Sequence, residues 1–336
     1  MELALDAEQR ALVSVARDFL GHACPPDVVR GSWDGEAISA LREGLVSVGF
    51  VGLPVPVEYG GLGLGDLEMA LLLEECGRVA LPLPLLESLV AAMTLTESGT
   101  PAQQALWLPG IASGKVSATV QPEGQPLVVG AGQADLLIAV IDGEVHALPS
   151  DRFDAERQVV VDRSRHVYTV VAAPGIDTLM SKDPAVASRL GDRAAVASAA
   201  FLVGLAASLL DTTVSYVKQR QQFGRPIGSF QAVKHRLAQT HLLVETARPA
   251  VWSAAHLLAC RAEDGPIAAS IAKVHSSLAE AAANEHALQC HGGIGFAWEH
   301  DLHLWLKRGK ALEHAYGSPQ WHRRRVADHL FGSLTT

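Results

Sequence analysis

Apolar residues recur at helical spacing along 6–20 (DAEQRALVSVARDFL): Leu12, Val15, Ala16 and Phe19 share one face behind Asp6. This predicts an amphipathic helix capped by that aspartate. The period continues over 33–48, 67–76, 85–98 and 101–108, interrupted by a proline- and glycine-punctuated loop at 49–65 and by Pro82 and Pro84. The reading is a helical N-terminal domain, 1–113, in which Glu68, Glu74 and Glu75 face outward. Near Lys115 the pattern shifts to short runs rich in β-branched residues: 116–120, 127–129, 136–141, 144–148 and 158–161. Asp142-Gly143 between two of them is a hairpin signal. These runs predict a small β domain, 114–182. No G-x-G-x-x-G follows a strand, so it does not read as a Rossmann unit. From Asp183-Pro184 the helical period returns over 193–220, 230–260, 267–291 and 298–316, with a tail helix at 319–330. Four long helices with short connections predict a bundle, 183–336. The fold class is mostly α with a small central β domain.

Composition narrows this picture. The uncharged run 194–210, between Arg193 and Asp211, is marginal for a membrane span, and its Ala, Ser and Gly content suits the core of a bundle. A net charge of -9 argues against a nucleic-acid partner but leaves a local anion site open. Cys24, Cys76, Cys260 and Cys290 form no C-x-x-C pair, and the chain opens without a secretory leader. The expectation is reduced thiols in the cytoplasm, no disulfide and no metal site.

The candidate chemistry begins at 214–239 (VSYVKQRQQFGRPIGSFQAVKHRLAQ). Val214, Val217 and Lys218 keep helical spacing up to a break at Phe223-Gly224-Arg225-Pro226. Beyond it Ser229 is placed to cap a second helix with Phe230, Val233 and Leu237 on one face. Such a break gathers Arg220, Gln222, Arg225 and freed backbone N–H groups, a set able to hold phosphate oxygens. An ordinary helix–helix turn with solvated arginines has the same spacing. A second stretch, 281–308, is a small-residue helix ending at Gln289-Cys290-His291, followed by Gly292-Gly293-Ile294-Gly295 and a new amphipathic segment.

RQQFGRPIGSFQAVKHRLA and QCHGGIGFAWEHDLHLWLKR resemble the two C-terminal signatures of the acyl-CoA dehydrogenase family. GFVGLPVPVEYGGLGLG, at 49–65, is similar to part of that family's N-terminal domain, and the three stand in family order across nearly the whole chain. The resemblance implies a helical N-terminal domain, a middle β domain and a C-terminal four-helix bundle, with FAD as cofactor. It also implies α,β-desaturation of an acyl-CoA and an electron-transfer flavoprotein or similar acceptor. Arg220, Gln222, Phe223, Gln231, Gln289, Gly292 and Gly293 match positions that, in the family, reach across a dimer interface to the pyrophosphate and adenosine of a neighbour's FAD.

Two departures bear on catalysis. The Thr-Glu-Pro, Gly-Ser-Asp and Trp-Ile-Thr elements that line the flavin ring in the family reduce here to Thr119 and Pro122 within ATVQPEG. The two positions where the family places its catalytic carboxylate read Gly317 and Ala194. Asp192 is the remaining candidate base, although its simpler role is an N-terminal charge on the following helix. Glu313 is expected to pair with Lys310 at the surface. The favoured reading is a subunit without its own base that completes a partner's FAD site in an α2β2 assembly, resembling the short subunits of bacterial steroid side-chain breakdown. The alternatives are a competent homo-oligomer, such as a homotetramer, using a non-standard base such as Asp192, and a scaffold.

Overall fold

The computed structural model describes residues 4–34 and 38–332. The α-helices in chain order are α1 Ala7–Ala23, α2 Pro26–Gly31, α3 Ile38–Ser47, α4 Asp66–Arg78, α5 Leu85–Ser98, α6 Pro101–Ala112, α7 Pro184–Gln219, α8 Gln231–Ala259, α9 Gly265–His291, α10 Leu302–His314 and α11 Pro319–Phe331. The strands are β1 Ala118–Gln121, β2 Val128–Val129, β3 Leu136–Ile141, β4 Glu144–Pro149, β5 Phe153–Gln158, β6 Val167–Ala172, β7 Leu179–Ser181, β8 Gln221–Gln222 and β9 Arg225–Pro226. The chain forms two compact units, one of 30–69 and 82–197, the other of 1–29, 70–81 and 198–336.

The first unit carries the two larger sheets. One has strand order β1-β3-β4-β7, with β1 parallel to β3 and the other pairs antiparallel, and the second is β2-β6-β5. Asp142 and Gly143 both adopt positive φ, 51° and 79°, so the predicted hairpin is a tight left-handed turn joining β3 to β4 in register. Val128, Leu137, Ala139, Leu148 and Tyr168 form a core between the sheets. Of the strand expected at 158–161 only Gln158 is in a strand, as the last residue of β5; 159–161 form none, and Val159 and Val161 are exposed. Strands β5 and β6 pair over six positions, but alternating Asp, Glu and Arg in β5 hid its strand character from an apolar-run reading. At the start of α7, Arg193 is 1% exposed and bonds Asp66 (Nε to Oδ1, 2.6 Å) and Glu97 (Nη2 to Oε1, 2.8 Å). Burial alone would lower the guanidinium's pKa, and the two carboxylates more than reverse that.

The second unit is helical. Helix α1 opens with Asp6 and Gln9 in a reciprocal capping box; Ala16 and Leu20 are its buried residues, whereas Val15, expected inside, is half exposed. Helices α8 and α9 pack along each other, and α10 and α11 pack on α9. Gly77 and Gly204 let two helices cross in backbone contact: a Cβ at Gly204 would overlap Glu74 O, and one at Gly77 would overlap Phe201 O. That crossing overturns the outward placement of two α4 glutamates. Glu74 and Glu75 are buried, accepting from Arg248 Nε (2.8 Å) and Arg17 Nη2 (2.7 Å), because arginines on other helices reach over them. Burial raises the Glu74 carboxyl's pKa, with Arg248 acting against the shift.

Helix α7 is long and apolar enough to cross a membrane by length and composition, but 83% of its most apolar window is buried, as the core-helix reading expects. Two helices differ from expectation. The helix expected over 33–48 is a 3-10 turn, Ser32–Asp34, and then α3, with 35–37 outside the described residues. The helix start expected near Asp183-Pro184 is found at Pro184, and it runs on without a break through the stretch expected from Arg193, so Asp192 lies about two turns inside α7 and is no N-terminal charge.

Candidate functional site

Helix α7 ends at Gln219 and the chain folds back through the β8–β9 hairpin, whose turn residues Phe223 and Gly224 both have positive φ, 53° and 75°. Glycine accepts this conformation without strain, and phenylalanine only because the neighbouring structure holds it there. The backbone of Arg220 is pinned on both sides: its N–H donates to Tyr216 O at 2.9 Å and its carbonyl accepts from Ile227 N at 2.8 Å. Its side chain is exposed, as are those of Gln222 and Phe223. The Arg225 guanidinium lies 4.1 Å from the centre of the Phe230 ring, and the Phe223 ring meets Phe230 edge-on.

Ser229 does not cap α8. It sits in a 3-10 turn over Ile227–Ser229, its Oγ buried without a hydrogen-bond partner, and Phe230 occupies the cap position. The start of α8 at Gln231 therefore has no side-chain cap, and its first amides and positive dipole end remain open beside the hairpin.

The second glycine turn follows α9. Gly292 adopts φ 61°, ψ −141°, a conformation open essentially to glycine alone, and a 3-10 turn runs over Gly292–Phe296. A Cβ built at Gly292 or Gly293 meets nothing within 4 Å, so the backbone there is open to an approaching group. Tyr216 of α7 stacks on His291 of α9 with ring centres 4.3 Å apart, joining the two turns. His291 Nδ1 donates to Ala287 O, and its Nε2 is buried without a hydrogen-bond partner; burial lowers the ring's pKa. Arg220, Gln222, Phe223, Gln231, Gln289, Gly292 and Gly293 thus lie exposed at adjoining chain ends of one unit. An exposed guanidinium on a pinned backbone, three side-chain amides, an uncapped helix start and a bare glycine backbone form a donor set suited to a diphosphate.

In the β domain, the stretch that matches the family's flavin-ring elements, 118–124, has its polar side chains engaged within the domain at two positions. Thr119 is buried and donates its hydroxyl to Val129 O at 2.6 Å, and Gln121 closes the following loop on itself through Gln125 O at 3.1 Å. Ala194 is fully buried. Asp192 is 3% exposed, with Ser188 Oγ 3.5 Å from its Oδ2. Glu313 pairs with Lys310 at 2.9 Å, as expected.

Gly317 has φ 96°, and a Cβ there would stand 2.5 Å from His322 Nε2 and 3.0 Å from Trp321 Cε3. The sequence pattern does not single out His322. Its position against Gly317 depends on the left-handed Tyr316-Gly317 pair, which the sequence does not spell out.

The model of the acyl-CoA dehydrogenase N-terminal domain matches residues 6–115, and that of the acyl-CoA dehydrogenase C-terminal domain matches 185–331. The chain is 35% identical over 332 residues to acyl-CoA dehydrogenase IpdE2 of Mycolicibacterium smegmatis, covering 97% of this chain and 100% of the relative. A solved steroid ACAD, the Tcur3481-Tcur3483 G363A variant, is 29% identical with a TM-score of 0.85, covering 96% of this chain and 97% of that one. The ChsE4-ChsE5 complex from Mycobacterium tuberculosis matches at a TM-score of 0.88 and 24% identity, over 98% of this chain and 99% of that one, a likeness of fold.

Proposed function

Because the chain belongs to the acyl-CoA dehydrogenase family, FAD-dependent oxidoreductases, we propose that it is a subunit that completes a partner's FAD site and carries no catalytic base of its own. The observation that carries the reading is the contrast between the two halves of the site. The residues assigned to the diphosphate are exposed, on backbone held by the hairpin and the glycine turn. The ring-facing positions are buried or self-bonded, and the base position is a glycine without space for a side chain. The three-part division at 1–113, 114–182 and 183–336 and a cytoplasmic location belong to the same reading.

FAD, when bound, supplies the acceptor for the β-hydrogen of the acyl chain. The part proposed for this chain is electrostatic and positional. Arg220 places a fixed positive charge on the pyrophosphate, Gln222 and Gln289 donate amide hydrogens, and the open start of α8 adds its dipole. The Gly292-Gly293 backbone lets the adenosine end approach closely, and Phe223 offers an apolar face at the tip of the hairpin. Abstraction of the α-proton falls to a carboxylate of the partner. A homologous chain is the fitting partner, in an α2β2 arrangement. The two-chain names of the Tcur3481-Tcur3483 and ChsE4-ChsE5 structures and the steroid label of the former support a hetero-oligomer acting on a steroid-derived acyl-CoA. An electron-transfer flavoprotein or similar carrier would then reoxidise the flavin.

The competing reading, a homo-oligomer using Asp192, draws on that residue's burial at the start of α7, near the second family base position, Ala194. The phosphate-site assignment, common to both readings, is tested through Arg220→Ala in the complex with a co-expressed homologue. Losing a charge-assisted contact to pyrophosphate should weaken FAD retention by about 1.5–3 kcal/mol, roughly tenfold or more. Flavin content after dialysis equal to the parent's would contradict the assignment of Arg220.

A further inference from the structure

The turn between α10 and α11 is held by a directional set of hydrogen bonds. Arg325 Nη1 donates to Ser270 Oγ at 3.4 Å, and Ser270 Oγ lies 3.0 Å from His322 Nδ1. His322 Nε2 lies 3.0 Å from Tyr316 O. A carbonyl can only accept, so Nε2 carries the proton and Nδ1 accepts from the serine hydroxyl: the directions agree along the whole set. Tyr316 and Gly317 are both left-handed, with φ of 58° and 96°, and the bond to Tyr316 O fastens the imidazole against that strained pair. The ring is 1% exposed, and Trp321 meets it edge-on. Burial, with Lys273 and Arg325 adding to it, pushes the His322 pKa down to about 4, which keeps the ring neutral and the bond directions fixed near neutral pH.

The geometry points to His322 as a plug: while its ring bonds Tyr316 O, position 317 admits no side chain, so this chain's own base position is closed by packing as well as by the absence of a carboxylate. That position 317 is a base position rests on the function proposed above; the closure itself rests on the contacts of the His322 ring, the tightest at 2.5 Å, with Trp321 Cε3 behind it at 3.0 Å. A catalytic carboxylate would already bring its Cβ to 2.5 Å from Nε2, well inside contact distance. It follows that two changes separate this chain from a subunit with a base at 317, and that Gly317→Glu alone fails.

The test is a double-substitution cycle on the full chain, with unfolding followed in denaturant. Gly317→Ala is made in the parent and in His322→Ala. The left-handed φ costs the same in both backgrounds, so only the clash with the ring is removed by the second change. The expected result is that Gly317→Ala shifts the apparent unfolding equilibrium at least about fivefold less in His322→Ala than in the parent. Equal shifts in the two backgrounds would overturn the plug.

Should His322→Ala not fold, the unsubstituted chain decides the matter through nitrogen-15 spectra of its histidines. One ring is expected to stay in the Nε2–H form without titrating between about pH 5 and 8 and to vanish in His322→Gln. A His322 signal titrating with an ordinary midpoint in that range would overturn the plug. Neither readout depends on flavin or turnover, so the plug can fail with the subunit reading intact, and the subunit reading can fail with the plug intact.

Discussion

Asp192 and Glu280 show how burial decides what a carboxylate can do. Asp192 sits beside the Arg193–Asp66–Glu97 cluster, 3% exposed, and its burial suits packing at the head of α7. Asp192→Asn is expected to leave turnover of the assembled complex within a few-fold of the parent. A loss of about a thousandfold, as for removal of an essential base, would restore the homo-oligomeric reading. Glu280 is fully buried on α9 against the bare backbone of Gly309; Asn284 donates to its Oε1, and its Oε2 has no hydrogen-bond partner. Burial raises its pKa to about 8 from 4.5, with Lys310 and Lys273 opposing and Glu313 adding to the shift. A raised folded pKa means that the contribution to stability is full below about 4.5 and is lost as pH rises through about 8. Glu280→Gln should therefore match the parent near pH 4.5 and exceed its unfolding midpoint by several degrees at pH 8, as thermal melts across pH would show. Identical pH profiles would contradict the assignment. At this scale the sequence revealed exposed, chemically distinctive residues such as Arg220 and Gln222. It concealed His322 and the burial of Glu74, because those follow from which helices cross where.

At the scale of elements, helices were the more legible. The period over 230–260 and 267–291 survives nearly unchanged as α8, Gln231–Ala259, and α9, Gly265–His291, which pack along each other. Strand β5 was missed because its exposed positions are charged, and β6 and β7 because their apolar runs are short and half exposed. The cap of α8 was misplaced because the β8–β9 hairpin and the 3-10 turn after it put Phe230, and not Ser229, at the helix start. The contact of Gly204 with α4 carries its own test. Gly204→Ala pushes a methyl group into Glu74 O, and separating two packed helices should cost about 1–3 kcal/mol or more. Helix propensity alone would make the same change favourable by about 1 kcal/mol, so the sign of the shift in a denaturant titration decides between contact and propensity.

For the molecule as a whole, fold class and family were legible because three glycine-bearing motifs stand in order across the chain. The division into two compact units was not, because it falls inside α4 and α7, which read as continuous helices. Function at this scale is a matter of counting half-sites. On the reading proposed above, a complete site takes a ring-and-base half from one chain and a diphosphate half from its neighbour, and this chain gives only the latter. Two copies together make two incomplete sites, whereas one copy with a complete homologue makes one good site and one poor one. The decisive measurement is calibrated flavin absorbance combined with mass by light scattering, on the chain alone and on the complex with a co-expressed homologue. The account predicts little FAD on the chain alone and about one FAD per two chains in the complex. One tightly held FAD per chain in a pure homo-oligomer, reduced on addition of an acyl-CoA, would contradict it.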